Sequence, residues 1–301
     1  MAATQQNPFT ALPDGSLLEM DFLDSSWFQP HVSTRTFPSP EEVRSVALTQ
    51  RGLRWPAKFE NLGLIVKFGR QISTQEAINL WAIRKVIQNQ TLVPEVYGWR
   101  VVQNGEFPEV FIYMQLVQGP TLAEQWDSML VHDKQTVCND LHVFVSRYRE
   151  FRQNESAQVI GSVSHGLVPD RCLKQLPYLK LFPTRASFQD WLSWLWRRHD
   201  PDPQSIEDPW REILSDRGPI VFTHGDLRPT NIIVTTTSPT RLVSVIDWEQ
   251  AGWYPDYWES CKARYTAAPD GEWWGWIDHF VTPNEAAYES FSFYVGALGL
   301  F

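Results

Sequence analysis

The sequence changes its local character at Gly119-Pro120. Before this pair, β-branched and aromatic runs predict strands, and the apolar spacing of residues 73–90 predicts one helix among them. After it, the periodicity is mostly helical, and strand-like runs return only within residues 219–247. The predicted fold class is therefore α+β, with a small β-rich lobe containing one helix before a larger helix-rich lobe. The predicted parts are a leader over residues 1–40, a first lobe over 41–118 and a second lobe over 119–301.

Composition limits the classes of partner. The chain of 301 residues carries 26 Lys and Arg against 35 Asp and Glu, a net charge of −9. This acidic balance argues against a nucleic-acid binder that works by neutralising phosphates. The first residues show no secretory signal, no apolar run approaches the ~18 residues of a membrane helix, and the three cysteines form no metal or disulfide pattern. We expect a cytoplasmic protein that binds neither nucleic acid nor membrane.

The segment His224–Asn231 carries the strongest functional signal. It reads HGDLRPTN, is followed by the strand-like run IIV, and precedes Asp247 by sixteen residues. Asp and Asn beside Gly and Pro are common in turns, so HGD alone would be a weak signal. In this context Asp226 suits a general base for a substrate hydroxyl, while Asn231 and Asp247 offer the oxygen ligands that Mg²⁺ prefers. The short strands between them would return the chain so that both ligands meet in one cleft.

Two further charged residues lie upstream. The segment from His224 to Asp247 resembles the catalytic loop and metal-binding aspartate of kinase-like phosphotransferases, which need a lysine on the nucleotide phosphates and a glutamate that holds it. Lys67 follows the run LGLIV, and Glu76 stands nine residues later at a helix start. The alternatives are a solvated strand-edge lysine and a capping box in which Glu76 bonds back to Ser73. Chain order and position in the first lobe favour the Lys67–Glu76 pair.

These segments resemble the aminoglycoside phosphotransferase family, which shares the protein-kinase-like fold. The resemblance is nearest to the fungal-type branch of phosphotransferase enzymes and extends over about residues 60–260. Its segments are VKFG…EAINL, VPEVYGW, MQLVQGPTL, IGSVSHG, THGDLRPTNIIV and VIDWEQAGWYPDYWE. The resemblance implies two lobes with an ATP site between them, and ATP and Mg²⁺ as cofactors.

The resemblance also implies a hinge at residues 114–119, with the backbone near Gln115 and Val117 facing the adenine. One departure from the pattern concerns the phosphates. A glycine-rich loop should precede Lys67, but that stretch holds no GxGxxG. A backbone cradle for the phosphates is therefore not evident.

The catalytic segment holds two more candidates. His224 is expected to brace the loop rather than to carry a proton. Arg228 is expected to place the substrate or to neutralise charge beside Asp226.

Acids and aromatic residues are concentrated near the end of the chain. Residues 242–301 contain nine Asp and Glu but only two Lys and Arg. In the resembling family the acceptor binds on the helix-rich lobe, and a cleft lined by such residues would suit a cationic or aromatic small molecule. The alternative is that the aromatics fill a helical core and the acids form a solvated face. The candidate acceptor residues are Glu249, Trp253, Asp256, Trp258, Glu259 and Trp273.

The predicted function is phosphorylation of a hydroxyl, or less readily an amine, of a small metabolite by Mg²⁺ and ATP. Two alternatives remain. The fold can serve as a ligand-binding module without phosphoryl transfer, which the missing glycine pattern favours. It can also catalyse other chemistry in secondary metabolism. A protein-kinase role is disfavoured, because the chain lacks the DFG and APE signatures.

Overall fold

The computed structural model describes residues 11–29, 35–53, 55–87, 90–154, 157–174 and 176–299. The chain forms two compact units. The first contains the residues up to Pro120 together with Ile233–Thr236 and Val243–Glu249, and the second contains the remainder. Asp247, which lies in the predicted second lobe, therefore belongs to the first unit.

A five-stranded antiparallel sheet forms the centre of the first unit, in the order β1-β4-β5-β3-β2. Its strands are β1 (Glu19–Asp21), β2 (Ala57–Phe59), β3 (Leu64–Gly69), β4 (Val96–Asn104) and β5 (Phe107–Gln115). Side chains alternate along β3, and Leu64, Val66 and Phe68 are buried in a core that includes residues of helix α1 (Pro40–Gln50). Alternation places Lys67 on the opposite face of the sheet.

Part of the predicted leader joins the sheet and the core of the first unit. Glu19–Asp21 pairs with β4 as a short edge strand, and Trp27 and Phe28 are buried in the core of the first unit. Three residues reading EMD carry no strand pattern, and this strand exists because β4 offers a free edge and the aromatics bury large surfaces. Residues 1–10 and 30–34 of the predicted leader lie outside the described residues.

The predicted helix of the first unit forms as α2 (Thr74–Val86), between β3 and β4. Ser73 is its N-cap, and the Ser73 hydroxyl oxygen accepts a hydrogen bond from the Gln75 N–H. The helix ends at Val86 instead of continuing to residue 90, and Ile87 is already extended. Residues 88 and 89 lie outside the described part of the chain.

Helices are the main regular elements of the second unit. Its helices are α3 (Leu122–Gln125), α4 (Val131–Tyr148), α5 (Arg185–Arg197), α6 (Pro209–Ile213), α7 (Trp258–Tyr265), α8 (Glu272–Trp276) and α9 (Glu285–Ala297). Strand β6 (Ile220–Thr223) ends directly before the catalytic segment in the sequence, and it pairs with β9 (Gly252–Pro255). Every residue of α7 from Trp258 to Arg264 is buried, so this helix lies in the core of the unit.

Two short strands, β7 (Ile232–Val234) and β8 (Leu242–Val245), pair with each other between the proposed metal ligands in the sequence. The first unit contains two helices, α1 and α2, where one was predicted. A β-rich first unit and a helix-rich second unit confirm the predicted α+β class. Among the described residues, no helix has the length and apolar character needed to span a bilayer.

Candidate active site

Lys67 and Glu76 form an ion pair in the first unit. Strand β3 carries Lys67 on the face away from the α1 core, and the first turn of α2 carries Glu76. The Lys67 Nζ atom lies 2.7 Å from Glu76 Oε2, and Glu76 is only 3 % exposed. The capping-box alternative is wrong, because Glu76 faces Lys67 while Ser73 is bonded by Gln75.

Two more carboxylates contact the same lysine. Asp247 Oδ1 lies 2.6 Å and Glu249 Oε2 lies 2.9 Å from Lys67 Nζ. Asp247 follows β8 with φ of 66°, a left-handed conformation that costs a non-glycine residue of order 1 kcal/mol or more. Glu249 was predicted among the acceptor residues, and the structure places it with Lys67.

Trp248 fixes the turn between these two acids. It is fully buried, and its Nε1 donates a 2.8 Å hydrogen bond to the Val245 carbonyl oxygen. The Trp248 carbonyl oxygen accepts a 2.8 Å bond from Asn79 Nδ2 in α2. The sequence reasoning missed Asn79, although its position three residues after Glu76 puts both on one side of the helix. One helix therefore holds both Lys67 and the Asp247 turn.

Three carboxylates share one ammonium group in this cluster. Burial lowers the pKa of Lys67, but the charges of Glu76, Asp247 and Glu249 outweigh it and raise that pKa above its ordinary value. Burial raises the pKa of Glu76 to about 7, against the opposing effect of Lys67. One oxygen from each acid lies within 4.8 Å of the others. Hard oxygens at this spacing fit Mg²⁺. The three carboxylates carry more negative charge than the one lysine neutralises, and a bound cation needs this excess.

The second unit holds the proposed base. Asp226 is 2 % exposed, and its Oδ2 accepts a 2.9 Å hydrogen bond from Asn231 Nδ2. Asn231 Nδ2 also donates to the Asp226 carbonyl oxygen at 3.0 Å. Because both bonds use the nitrogen, the Asn231 Oδ1 atom is the one that can face a cation.

Glu259 holds the start of this loop from helix α7. Its Oε2 accepts from the His224 N–H at 2.7 Å, and its Oε1 accepts from the Gly225 N–H at 3.0 Å. The Tyr148 hydroxyl adds a third bond, 2.7 Å to Oε2. A fully buried carboxylate with three donors is a structural anchor, so the prediction of Glu259 as an acceptor contact is corrected.

His224 and Arg228 flank the base in the sequence. His224 is fully buried, and its Nδ1 accepts a 3.1 Å hydrogen bond from the Asp226 N–H, an arrangement that holds the loop. Arg228 Nε lies 3.4 Å from Asp226 Oδ2, and the Arg228 side chain is 38 % exposed. Arg228 therefore places a positive charge beside the base at the surface of the second unit.

Residues 42–273 match the model of the phosphotransferase enzyme family, over most of the 301 residues. The chain belongs to this family. The predicted resemblance and the predicted protein-kinase-like fold are thereby confirmed. No curated protein matches the chain significantly.

Several solved structures are similar to this family member. A microcompartment-associated aminopropanol kinase shares 16 % identity with a TM-score of 0.46, covering 79 % of this chain and 76 % of the kinase. The ternary complex of APH(2″)-IIa with streptomycin and ATP shares 13 % identity with a TM-score of 0.47, over 85 % and 87 % of the two chains. A Plasmodium vivax ethanolamine kinase shares 12 % identity with a TM-score of 0.36, over 78 % and 68 %. Fold does not imply function at such distances, and the site itself must carry the functional argument.

The predicted adenine hinge of this family member follows β5. The Gln115 N–H donates to the Glu95 carbonyl oxygen at 2.8 Å, and the Leu116 N–H donates to the Gly63 carbonyl oxygen at 2.9 Å. The Gln115 N–H is therefore already used, and Gln115 stays a predicted adenine contact through its carbonyl oxygen only. Within the described ranges no residue forms a backbone hydrogen bond with Val117, which stays the predicted adenine contact.

The strand hairpin before Lys67 confirms the departure from the glycine-rich pattern. Strands β2 and β3 are joined by a single 3₁₀ turn, Glu60–Leu62, and Gly63 closes it in a left-handed conformation with φ of 62°. This turn supplies one glycine where a phosphate-binding loop would supply several.

The predicted tryptophan pocket is a core. Trp253 is fully buried on β9 against Phe222, at a ring distance of 5.5 Å, and Trp258 is 1 % exposed. Trp273 is 8 % exposed and packs edge-to-face on Trp126 at 4.9 Å. The prediction of these three tryptophans as acceptor contacts is corrected, because their buried rings leave no face for a ligand. Large aromatic surfaces gain most from removal from water.

Asp256 is the exposed member of the predicted acceptor set. Its Oδ1 accepts a 2.6 Å bond from Arg185 Nη1, and the Asp256 side chain is 38 % exposed. The carboxylate is therefore already neutralised by an arginine of its own unit.

Proposed function

We propose that this protein transfers the γ-phosphoryl group of ATP to a hydroxyl of a small molecule. The observation that carries the proposal is the buried Asp226 carboxylate, held by Asn231 and placed on a loop that Glu259 and His224 brace. A base must be oriented before it can accept a proton in the transition state. In this loop every contact fixes the position of Asp226 without consuming both of its oxygens.

The proposed step needs little from the protein beyond positioning and charge. The acceptor oxygen forms a bond to the γ-phosphorus, the bond from phosphorus to the ADP oxygen breaks, and the hydroxyl proton passes to Asp226. Such general-base assistance contributes roughly 10²–10⁴ in rate. Arg228, beside Asp226, is proposed to balance the negative charge that accumulates at the acceptor.

Lys67 is proposed to hold the nucleotide phosphates, with Glu76 as its support. Glu76 is buried and forms an ion pair with Lys67, so it holds the ammonium group in one position. In the absence of a glycine-rich loop, Lys67 must supply more of the phosphate binding than in a kinase with that loop. Val117 is proposed as the backbone contact to adenine.

Mg²⁺ is proposed to bind Asn231 and Asp247, with Glu249 as a further acid near it. When bound, Mg²⁺ supplies positive charge that offsets the phosphates and orients them. Asn231 contributes its carboxamide oxygen, since its nitrogen is used by Asp226. Asp247 must then exchange its contact with Lys67, 2.6 Å away, for one with the metal.

A second candidate function is a binding protein without phosphoryl transfer. The observation that favours it is the same Lys67–Asp247 contact, in which the lysine ammonium group is bound to the carboxylate that the metal would need. The absence of a glycine-rich loop points the same way. Both functions predict nucleotide or ligand binding, but only the first predicts a phosphorylated product.

The deciding experiment is a screen of small hydroxylated and amino metabolites with MgATP, read by mass spectrometry. Transfer adds about 80 Da to the acceptor, one phosphoryl group. Asp226→Asn, which keeps the size and the hydrogen bond to the loop but removes the base, should lose the product while still binding MgATP. A product that forms equally with Asp226→Asn would remove Asp226 from the role of base, and MgATP binding without any product would favour the second candidate.

A further inference from the structure

We propose that Lys262 is a positioning residue for the catalytic loop of the second unit. The inference rests on the proposed function, because that function gives the loop its role. Lys262 lies in α7, and its side chain is 2 % exposed. Its Nζ donates to Asp170 Oδ1 at 3.1 Å and to Gln250 Oε1 at 3.2 Å. Sequence patterns did not single out any of these three residues.

Lys262 and Asp170 form a fully buried ion pair. The second oxygen of Asp170 accepts a 3.0 Å bond from Trp258 Nε1, and Oδ1 also accepts from the Cys172 N–H at 2.8 Å. Burying two charges costs desolvation that their attraction only partly returns, and an apolar pair of similar volume is often as stable. The presence of this ion pair is therefore better explained by the residues that it holds in position than by a contribution to the stability of the fold.

Gln250 connects this pair to the catalytic loop. Its Oε1 accepts from Lys262 and also from the Arg171 N–H at 3.0 Å, so the side chain has a single orientation. The backbone of Gln250 lies directly against Gly225, where an added Cβ would stand 3.1 Å from the Gln250 carbonyl oxygen. Gly225 has φ of 79°, which glycine adopts at little cost. Gln250 thus supports the residue that immediately precedes Asp226.

Helix α7 holds the loop at a second point. Glu259, three residues before Lys262, accepts hydrogen bonds from the His224 and Gly225 N–H groups. Residues three apart lie on one side of a helix, so both act from the same direction. Burial opposes the charge on Lys262, but Asp170 and, with a smaller effect, Asp226 raise the pKa of Lys262 above its ordinary value. The buried ammonium group is therefore within electrostatic reach of the base.

The test uses the full chain and three variants. Lys262→Met alone leaves Asp170 buried without a counter-charge and can unfold the unit. The double variant Asp170→Asn, Lys262→Met removes both charges. It leaves no unpaired buried charge, so we expect it to fold. Lys134→Met is the matched control, because Lys134 is a buried lysine of the same unit, 7 % exposed, and it is paired with Glu272 at 2.6 Å instead of with a residue of the catalytic loop.

Two measurements are made on each variant. The first is kcat and KM for hydrolysis of MgATP, with water as the acceptor. The second is hydrogen exchange of the backbone amides of residues 224–227. We expect the double variant to lower kcat by about 10- to 100-fold, as displaced catalytic groups do, with KM for MgATP changed less than about twofold. Its loop amides should exchange faster, while Lys134→Met changes neither quantity.

A folded double variant with wild-type kcat and wild-type exchange at residues 224–227 would overturn the inference. So would a loss confined to KM, because a positioning residue for the base acts on turnover. A wild-type chain that binds MgATP but never hydrolyses or transfers phosphate would refute the proposed function separately. In that case the exchange measurement still decides whether Lys262 orders the loop.

Discussion

Glu76 should make the stability of the first unit fall as the pH rises. Three carboxylates share Lys67, and burial raises the pKa of Glu76 from an ordinary value of 4.5 to about 7. Between these two values the folded chain holds a proton that the unfolded chain has released. The stabilising contribution is therefore complete below pH 4.5 and is lost as the pH rises through about 7.

The size of the effect follows from the difference between the two pKa values. A shift from 4.5 to about 7 spans about 2.5 pH units, and each unit corresponds to about 1.4 kcal/mol. Most of this shift is lost between pH 5 and pH 8, so the wild-type chain should lose about 2–3 kcal/mol of unfolding free energy over that range through this group alone. Glu76→Gln keeps the shape and removes the titration, so the difference in stability between variant and wild type should change by about that amount over the range.

The assay is urea unfolding at intervals from pH 5 to pH 8, with the midpoint compared at each pH. With a slope of about 3 kcal/mol/M, the expected change in the wild-type midpoint relative to Glu76→Gln is about 1 M. Glu109→Gln is the control, because Glu109 is a carboxylate of the same unit, 12 % exposed and paired with Arg44 at 2.6 Å. Parallel profiles for the wild type and Glu76→Gln would refute the reasoning.

MgATP should raise the melting temperature of the wild-type chain, and Asp247→Ala should abolish that shift by removing a proposed metal ligand; a shift that persists in the variant would remove Asp247 from the metal site. Tyr148→Phe removes the 2.7 Å bond to Glu259 and should cost about 1.5–3 kcal/mol in urea unfolding, with less than about 0.5 kcal/mol showing that Glu259 does not need this donor. Trp253→Ala should cost about 3–5 kcal/mol because Trp253 is fully buried, and a folded variant of wild-type stability would contradict the assignment to the core.

The local spacing of residues was sufficient to predict the parts of the candidate site that depend on short stretches of chain. Asp226 and Asn231 lie five residues apart in one segment, and their residue types and spacing alone were enough to name both as candidates. Lys67 stands on an alternating strand, and alternation settles which face it occupies. The pairing with Glu76 followed from chain order, although the capping-box pattern competed for the same residue.

The roles of Glu249 and Glu259 could not be read from the sequence. Both stand in one acidic, aromatic segment and look equivalent there. In the structure Glu249 contacts Lys67, 182 residues away in sequence, and Glu259 contacts the His224 N–H, 35 residues away. Contacts between residues so far apart depend on how elements pack, which local patterns do not encode.

By itself the sequence determined the family, the division into a β-rich and a helix-rich part, and the candidates for base, metal ligands and nucleotide lysine. Each of these rests on residue type and short-range periodicity. Only the tertiary structure decided that the late tryptophans fill a core, that Glu259 anchors the loop, and that Lys262 lies buried beside Asp170. The physical reason is burial. Whether a charged or aromatic side chain meets solvent, a ligand or another residue depends on the elements that cover it.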